Sequence, residues 1–195
     1  TLFPYTTLFR SEWLKTQEFS YSLSAENVGV CYAMNAMASL ARTEYLLYIN
    51  DDMYVCPLWD KVLYAQIQQA GHKLFYYSAT MIEPTFSRNP CAIAPHDFGH
   101  SPVDFKESDL LQFAKSVRKN DWYGASWPPS VVHREVWDQV GGFSVEFSPG
   151  FGSDPDFSLK LWNIGVRDFR GFGKSLVYHF QSDRKSTRLN SSHIT

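Results

Sequence analysis

The chain has 195 residues, with 18 basic and 20 acidic side chains, a formal charge of −2, 44% apolar and 19% charged residues. Those totals exclude wholesale disorder, suit a single domain large enough to bury a core, and count against nucleic acid as the default partner. No apolar run reaches the roughly 18 residues that would span a bilayer, and Cys31, Cys56 and Cys91, an odd number without C-x-x-C spacing, read as reduced or buried thiols, not as a disulfide frame or zinc site.

Taken in chain order, the first segment is residues 1–11, TLFPYTTLFRS, which resembles a translated sequencing adapter, as does residues 183–195, DRKSTRLNSSHIT, at the other end. A native, disorder-like tail is the alternative for the Ser-, Thr- and Asn-rich end. Setting both ends aside, as one would a tag, leaves residues 12–182 with 14 basic and 19 acidic side chains and a charge of −5. That stretch reads as one domain, open at both ends and incomplete at its amino terminus.

Residues 30–41, VCYAMNAMASLA, follow the turn signal Asn27-Val28-Gly29 and predict a buried helix. Tyr45–Ile49, YLLYI, predicts a strand buried on both faces, ending in Asn50-Asp51-Asp52. Pro57 opens a helix to about Ala70, with Leu58, Val62, Leu63, Ile67 and Ala70 on one face and Gly71 closing it. Strand character resumes over Lys73–Ala79, whereas residues 83–106 carry four prolines and predict a long loop. A helix over Ser108–Lys119 with Ser108 as its cap, a strand at Ser130–Val132, a helix over His133–Val140 stopped by Gly141-Gly142, a helix from Asp154-Pro155 to Asn163, and a last strand at Lys174–Phe180 complete the pattern. Short apolar strands alternating with helices predict an α/β fold, a mainly parallel sheet flanked by helices.

Four features could carry chemistry. Adjacent carboxylates Asp51 and Asp52 at a strand's carboxyl end repel unless a cation or donor neutralises them, and ligands of open α/β sheets bind at such ends. A loop that only caps the following helix is the plainer reading. Asp154 and Asp156 follow a glycine-rich loop, Phe147–Ser153, where they suit a helix amino terminus and where Asp154 could also serve as a general base. His179 ends an apolar strand and fits either a core position or a metal ligand. Trp127, Phe147 and Phe151 could floor a sugar site. No G-x-S-x-G, G-x-G-x-x-G or P-loop spacing occurs.

The ordered set resembles the inverting, GT-A-fold glycosyltransferases of family 2. Asn27-Val28-Gly29 with Asn35 is similar to the family's N-x-G…N segment, and Glu44–Asp52, EYLLYINDD, resembles the strand that bears its D-x-D motif. Arg134–Trp137 with Val140–Phe143 is similar to RREVFEEVGGF, and Phe151–Leu161 with Gly165–Arg167 to G-E-D-x-D-F-x-L-R-L…G-x-R. Asn50 stands where the first acid of D-x-D is often found, and Ser153 where a Glu usually precedes the base.

The resemblance implies a GT-A fold and transfer of a sugar, with inversion, from a nucleotide-sugar donor to a glycan, lipid-linked or other hydroxyl acceptor. It implies that Asp52, assisted by Asp51 and completed by His179, holds Mg²⁺ or Mn²⁺, and that Asp154 is the catalytic base. Asn27, Gly29, Asn35 and Asn50 would contact the donor, and Trp127, Asp156 and Phe151 the acceptor. The family's first strand, helix and second strand fall upstream of Asn27, so the truncated chain is expected to be inactive, with an apolar sheet edge uncovered. A cytoplasmic parent, able to sit at the cytoplasmic face of a membrane, is the expected setting. Two other classes stay open: a non-catalytic carbohydrate- or nucleotide-binding module, and a nucleotidyltransferase of related fold.

Overall fold

The computed structural model describes Thr16, residues 24–124 and residues 127–181; the adapter-like ends lie outside the described residues. In chain order the elements are α1 (Gly29–Leu40), β1 (Tyr45–Tyr48), β2 (Met53–Val55), α2 (Trp59–Ala70), β3 (Phe75–Ile82), β4 (Ala92–Ile93), α3 (Glu107–Ser116), β5 (Trp122–Tyr123), β6 (Ser130–His133), α4 (Arg134–Val140), a 3₁₀ turn (Val145–Phe147), α5 (Ser153–Asn163) and β7 (Asp168–His179). They form two compact units, one from residues 24–46 and 134–164, the other from residues 47–133 and 165–181.

The second unit is a sheet with helices, in the order β1-β6-β3-β7-β2, with β4 added to β3 and β5 to β7; only the last two residues of β1 belong to this unit. Its centre is the parallel β3–β7 pair, registered from Phe75↔Asp168 to Ile82↔Tyr178. The α/β class with flanking helices is the expected one. Parallel pairing holds for β3–β7 and β3–β4, while β6, β2 and β5 pair antiparallel. All eight residues of β3 are buried, consistent with helices on both faces.

Alternation along β7 divides those faces. Leu176, Tyr178 and Phe180 join Ile82, Cys56 and Leu110 in a core that α3 covers through Phe113 and Ala114. Ser175, on the opposite face, donates to the Trp59 carbonyl at the start of α2. The three cysteines are buried and form no disulfide. Among the described residues no helix is long and apolar enough to cross a membrane.

β7 is longer than its apolar run because two glycines interrupt the pattern for a packing reason. At Gly171 the Trp122 ring lies where a Cβ would stand, and at Gly173 the Lys119 carbonyl does. Gly173 N–H also donates to Asp121 Oδ1 at 2.8 Å, inside a bulge that shifts the register between Ala79 and Thr80. Three residues of β2 escape periodicity altogether by being so few.

The first unit packs α1, α4 and α5 around an aromatic trio, Trp137, Phe143 and Phe157, with ring centroids 4.9–5.5 Å apart. Two expected caps are corrected. Lys106, not Ser108, precedes α3, with no side-chain cap bond, and Glu107 and Asp109 supply negative charge in the first turn. Gly152, at φ +88°, holds the cap position of α5, which leaves Asp154 inside the first turn as its second residue.

Gly173→Ala should destabilise the sheet unit by about 1–3 kcal/mol, since backbone and not a yielding side chain occupies the space. Urea unfolding of the two chains is the check; equal midpoints would remove the close-approach argument.

Candidate functional site

The carboxyl ends of β3 and β7 reach the same edge of the sheet, and β2 returns antiparallel beside β7 with Met53 opposite His179. This register places Asp52, the residue before β2, against His179, the last residue of β7. Phe180 N–H donates to the Asp52 carbonyl at 3.0 Å, which locks the two chain segments together. His179 Nε2 then lies 3.3 Å from Asp52 Oδ2. On its other side Nδ1 lies 2.9 Å from Glu83 Oε1. Glu83 is the residue just past β3 and is 5% exposed.

Two opposed effects act on this ring. Burial disfavours the imidazolium, and the hydrogen bonds to Asp52 and Glu83 outweigh it, pushing the His179 pKa up to about 9. Burial likewise opposes the Glu83 carboxylate, yet hydrogen bonding to His179 and the nearness of Gln181 and Ser87 hold its pKa below the usual range. Neither Gln181 nor Ser87 completes a hydrogen bond to Glu83 Oε2, which is buried and unpartnered.

The donor set suits a divalent cation in part. One carboxylate and one imidazole nitrogen face each other, and the second ring nitrogen is taken by a carboxylate, the arrangement that orients metal-binding histidines. No group of three or more His, Cys, Asp or Glu side chains among the described residues forms a full coordination set. Asp52 and His179 would therefore hold a cation whose other ligands are water and phosphate oxygens, which is how hard cations are commonly held. Asp51 is exposed beside them.

Asp154 belongs to the other unit, and its environment is different in kind. Burial pushes its pKa up to about 6, and its Oδ1 is buried without a hydrogen-bond partner. A helix amino terminus favours the ionised carboxylate, but desolvation is the larger effect here and poises the group nearer neutrality. Its turn is fastened from two sides. Ser153 Oγ donates to the Gly150 carbonyl at 2.7 Å, and the Ser148–Gly150 segment docks on the start of α1 through Ser148 Oγ to the Val28 carbonyl at 2.8 Å and Val30 N–H to the Pro149 carbonyl at 2.8 Å.

Several residues read as substrate contacts have structural partners as well. Asn27 Oδ1 accepts from Gly29 N–H at 3.0 Å, turning the chain into α1. Gly29, at φ +77°, leaves room for Pro149, whose Cα lies 2.5 Å from where a Cβ would be. Asn35 bonds to the Phe143 backbone from both ends of its amide: its Nδ2 donates to the Phe143 carbonyl at 2.8 Å and its Oδ1 accepts from Phe143 N–H at 2.9 Å. Asp156 Oδ2 accepts from Ser144 Oγ at 2.7 Å. Asn50 is half-buried two residues past β1. Phe151 is 96% exposed and Trp127 44%, free faces in both cases. Glu83 was missed in the sequence because a single acid before a proline carries no motif. Its only signal is its place at the end of an apolar run, as with Asp52 and His179.

The sequence profile of Glycosyl transferase family 2 matches residues 9–136, about two thirds of the chain, including Asp51 and Asp52 and ending before Asp154 and His179. No curated protein sequence matches at a significant level. Among solved structures, the fold is similar to GalNAc-T7 with UDP, GalNAc and Mn²⁺, at TM-score 0.60 and 14% identity over 88% of this chain and 34% of that one. It is also similar to S. aureus TarS 1–349, at TM-score 0.57 and 12% identity over 89% of this chain and 47% of that one, and to the same protein in complex with UDP, at TM-score 0.56 and 12% identity over 89% and 46%. The chain thus spans about a third to a half of the length of these structures.

The Asp154 environment has a thermodynamic consequence. Its folded pKa of about 6 lies above the ordinary 3.8, so folding favours the protonated form; that contribution is present below about pH 4 and is lost as the pH rises through 6. Asp154→Asn should therefore be more stable than the wild type by roughly 1–3 kcal/mol at pH 8, with no such gain at pH 4. Urea unfolding at the two pH values decides it, and a pH-independent difference would contradict the burial argument.

Proposed function

The chain belongs to Glycosyl transferase family 2, and from that premise we propose that it is the sugar-transferring part of a metal-dependent, inverting enzyme that uses a nucleotide-sugar donor. The observation that carries this reading is the meeting of Asp52 and His179 at the carboxyl edge of the sheet, where α/β proteins bind their ligands. UDP in two of the similar structures and Mn²⁺ in one support a nucleoside diphosphate and a divalent cation as its partners.

In this reading Asp52 and His179, with Asp51 beside them, hold Mg²⁺ or Mn²⁺. When bound, that cation would supply charge stabilisation to the departing diphosphate. Asn50 lies within two residues of those acids and faces the same donor. Asp154 accepts the proton of the acceptor hydroxyl; the hydroxyl oxygen bonds to the anomeric carbon as the carbon–oxygen bond to the diphosphate breaks on the opposite side, which inverts the centre. A carboxylate poised near pH 6 suits that task, being ionised at neutral pH yet basic enough to take a proton.

Phe151 and Trp127 offer exposed aromatic faces on which an acceptor sugar stacks, and Asp156, held by Ser144, supports the same turn. Asn27, Gly29 and Asn35 contact the donor, the first two from the turn that the Gly29 N–H to Asn27 Oδ1 hydrogen bond builds. The acceptor is a glycan, lipid-linked or other hydroxyl compound, and the setting is cytoplasmic, with a membrane face open to a longer parent. Asn50 and Ser153, in place of the family's usual acids, favour a second reading, a binding module without turnover.

The test is transfer and donor hydrolysis with a panel of nucleoside diphosphate-sugars, measured on the chain and on a version continued to the length of its relatives. Turnover should vanish with chelator, fall by about 10²–10⁴ in Asp154→Asn, and show a rising acid limb near pH 6. Full activity in Asp154→Asn would remove the base assignment. Nucleotide-sugar binding without turnover in every form would establish the binding-module reading.

A further inference from the structure

Glu83 sits outside every motif that led to the site, yet it is the most constrained acid in it. Its backbone is fixed on both sides: Glu83 N–H donates to the Ile93 carbonyl of β4 at 3.0 Å, and the Glu83 carbonyl accepts from His96 N–H at 2.8 Å. The side chain is 5% exposed and its Oε1 receives His179 Nδ1 at 2.9 Å. The adjoining strand end is tied as well, by a hydrogen bond from Thr85 Oγ1 to Gln181 Oε1. A carboxylate so placed cannot swing out to a substrate.

The two nitrogens of an imidazole lie on opposite sides of the ring, so fixing one fixes the direction of the other. With Nδ1 on Glu83, Nε2 is aimed at Asp52 Oδ2, 3.3 Å away. We propose that Glu83 is a positioning residue that holds the His179 proton on Nδ1 and so presents Nε2, together with Asp52, to a divalent cation. The inference rests on reading Asp52 and His179 as the cation pair. It adds that the affinity of the pair is set from behind, by an acid that never touches the metal. The energetic logic is that a buried carboxylate needs a donor and a metal-binding ring needs an acceptor. Each answers the other's unmet requirement.

Mn²⁺ binding, read from the free-ion paramagnetic resonance signal with UDP present, tests this on the wild type, Glu83→Gln, His179→Ala and the double variant. Glu83→Gln should weaken Mn²⁺ binding by about 10–100-fold, and should add nothing further once His179 is alanine. A loss that persists in the His179→Ala background would mark a general structural role and overturn the proposal. So would unchanged Mn²⁺ affinity in Glu83→Gln. A wild type that takes up no Mn²⁺ overturns the cation reading as well, so the two failures are told apart. The wild type also supplies a check free of folding effects. With Zn²⁺ as a diamagnetic cation, long-range ¹H–¹⁵N spectra should show His179 protonated at Nδ1 and bare at Nε2; the reverse tautomer overturns the assignment.

Discussion

Parallel pairing of β3 with β7 is the constraint on which the sheet unit depends. These strands are neighbours in space but more than eighty residues apart in sequence, and their register sends both carboxyl ends to one edge. Once that register is set, Glu83 and His179 must meet, because each stands at the end of its strand on the same face. β2 then has one place left, antiparallel to β7, which carries Asp52 to the far side of the ring. The bulge after Ala79 is what lets the two strands stay paired while accommodating the Lys119 carbonyl beside Gly173. A one-residue slip along this pair would turn His179 into the apolar core formed by Leu176, Tyr178 and Phe180.

Burying one imidazole between two carboxylates is costly unless each charge finds its opposite. Here the cost is moderated by placing the trio at the sheet edge, where the His179 and Asp52 side chains keep 20% and 16% of their exposure. Stacked beneath that edge is the aromatic packing of Phe98, Phe105 and Phe180 on Tyr178, on the other face of β7. Tyr178 also spends its hydroxyl on the Gly99 carbonyl at 2.7 Å, which anchors the long segment after Glu83 to the sheet. The polar edge and the apolar face are therefore held by the same strand.

Much of this was legible in the sequence, and the reasons differ by element. The helix at Gly29–Leu40 and the strand at Tyr45–Tyr48 follow from composition and from an apolar run that ends in acids, but the burial expected of both is corrected: Cys31 is the buried residue of that helix, and Leu47 of the strand is exposed. Asp52 and His179 stood out because each closes such a run. β7 was read at half its length because Gly171 and Gly173 look like breakers, whereas they are the residues that let Trp122 and Lys119 approach. The loop expected over residues 83–106 contains β4 and the hydrogen bonds that fix Glu83, pairings between distant strands that no local pattern encodes. Asn35 illustrates the opposite case. A motif marks the residue, and only the fold reveals that its amide is committed to the Phe143 backbone.

Glu83 and Asp154 are both poorly solvated carboxyls with one oxygen buried and unpartnered, and yet their acidities move in opposite directions. Glu83 is held below its usual range by a cationic partner, His179. Asp154 has no such partner and is raised to about 6 by burial alone. The difference separates their chemistry. An acid whose hydrogen bond to an imidazole lowers its proton affinity is a poor acceptor for a substrate proton, and its place behind His179 leaves it to orient that ring. A carboxyl poised near pH 6 gains and loses a proton at small cost around neutrality, which is what a base for a hydroxyl group needs. Burial opposes ionisation in both carboxyls, and the histidine beside Glu83 is what turns the shift the other way there.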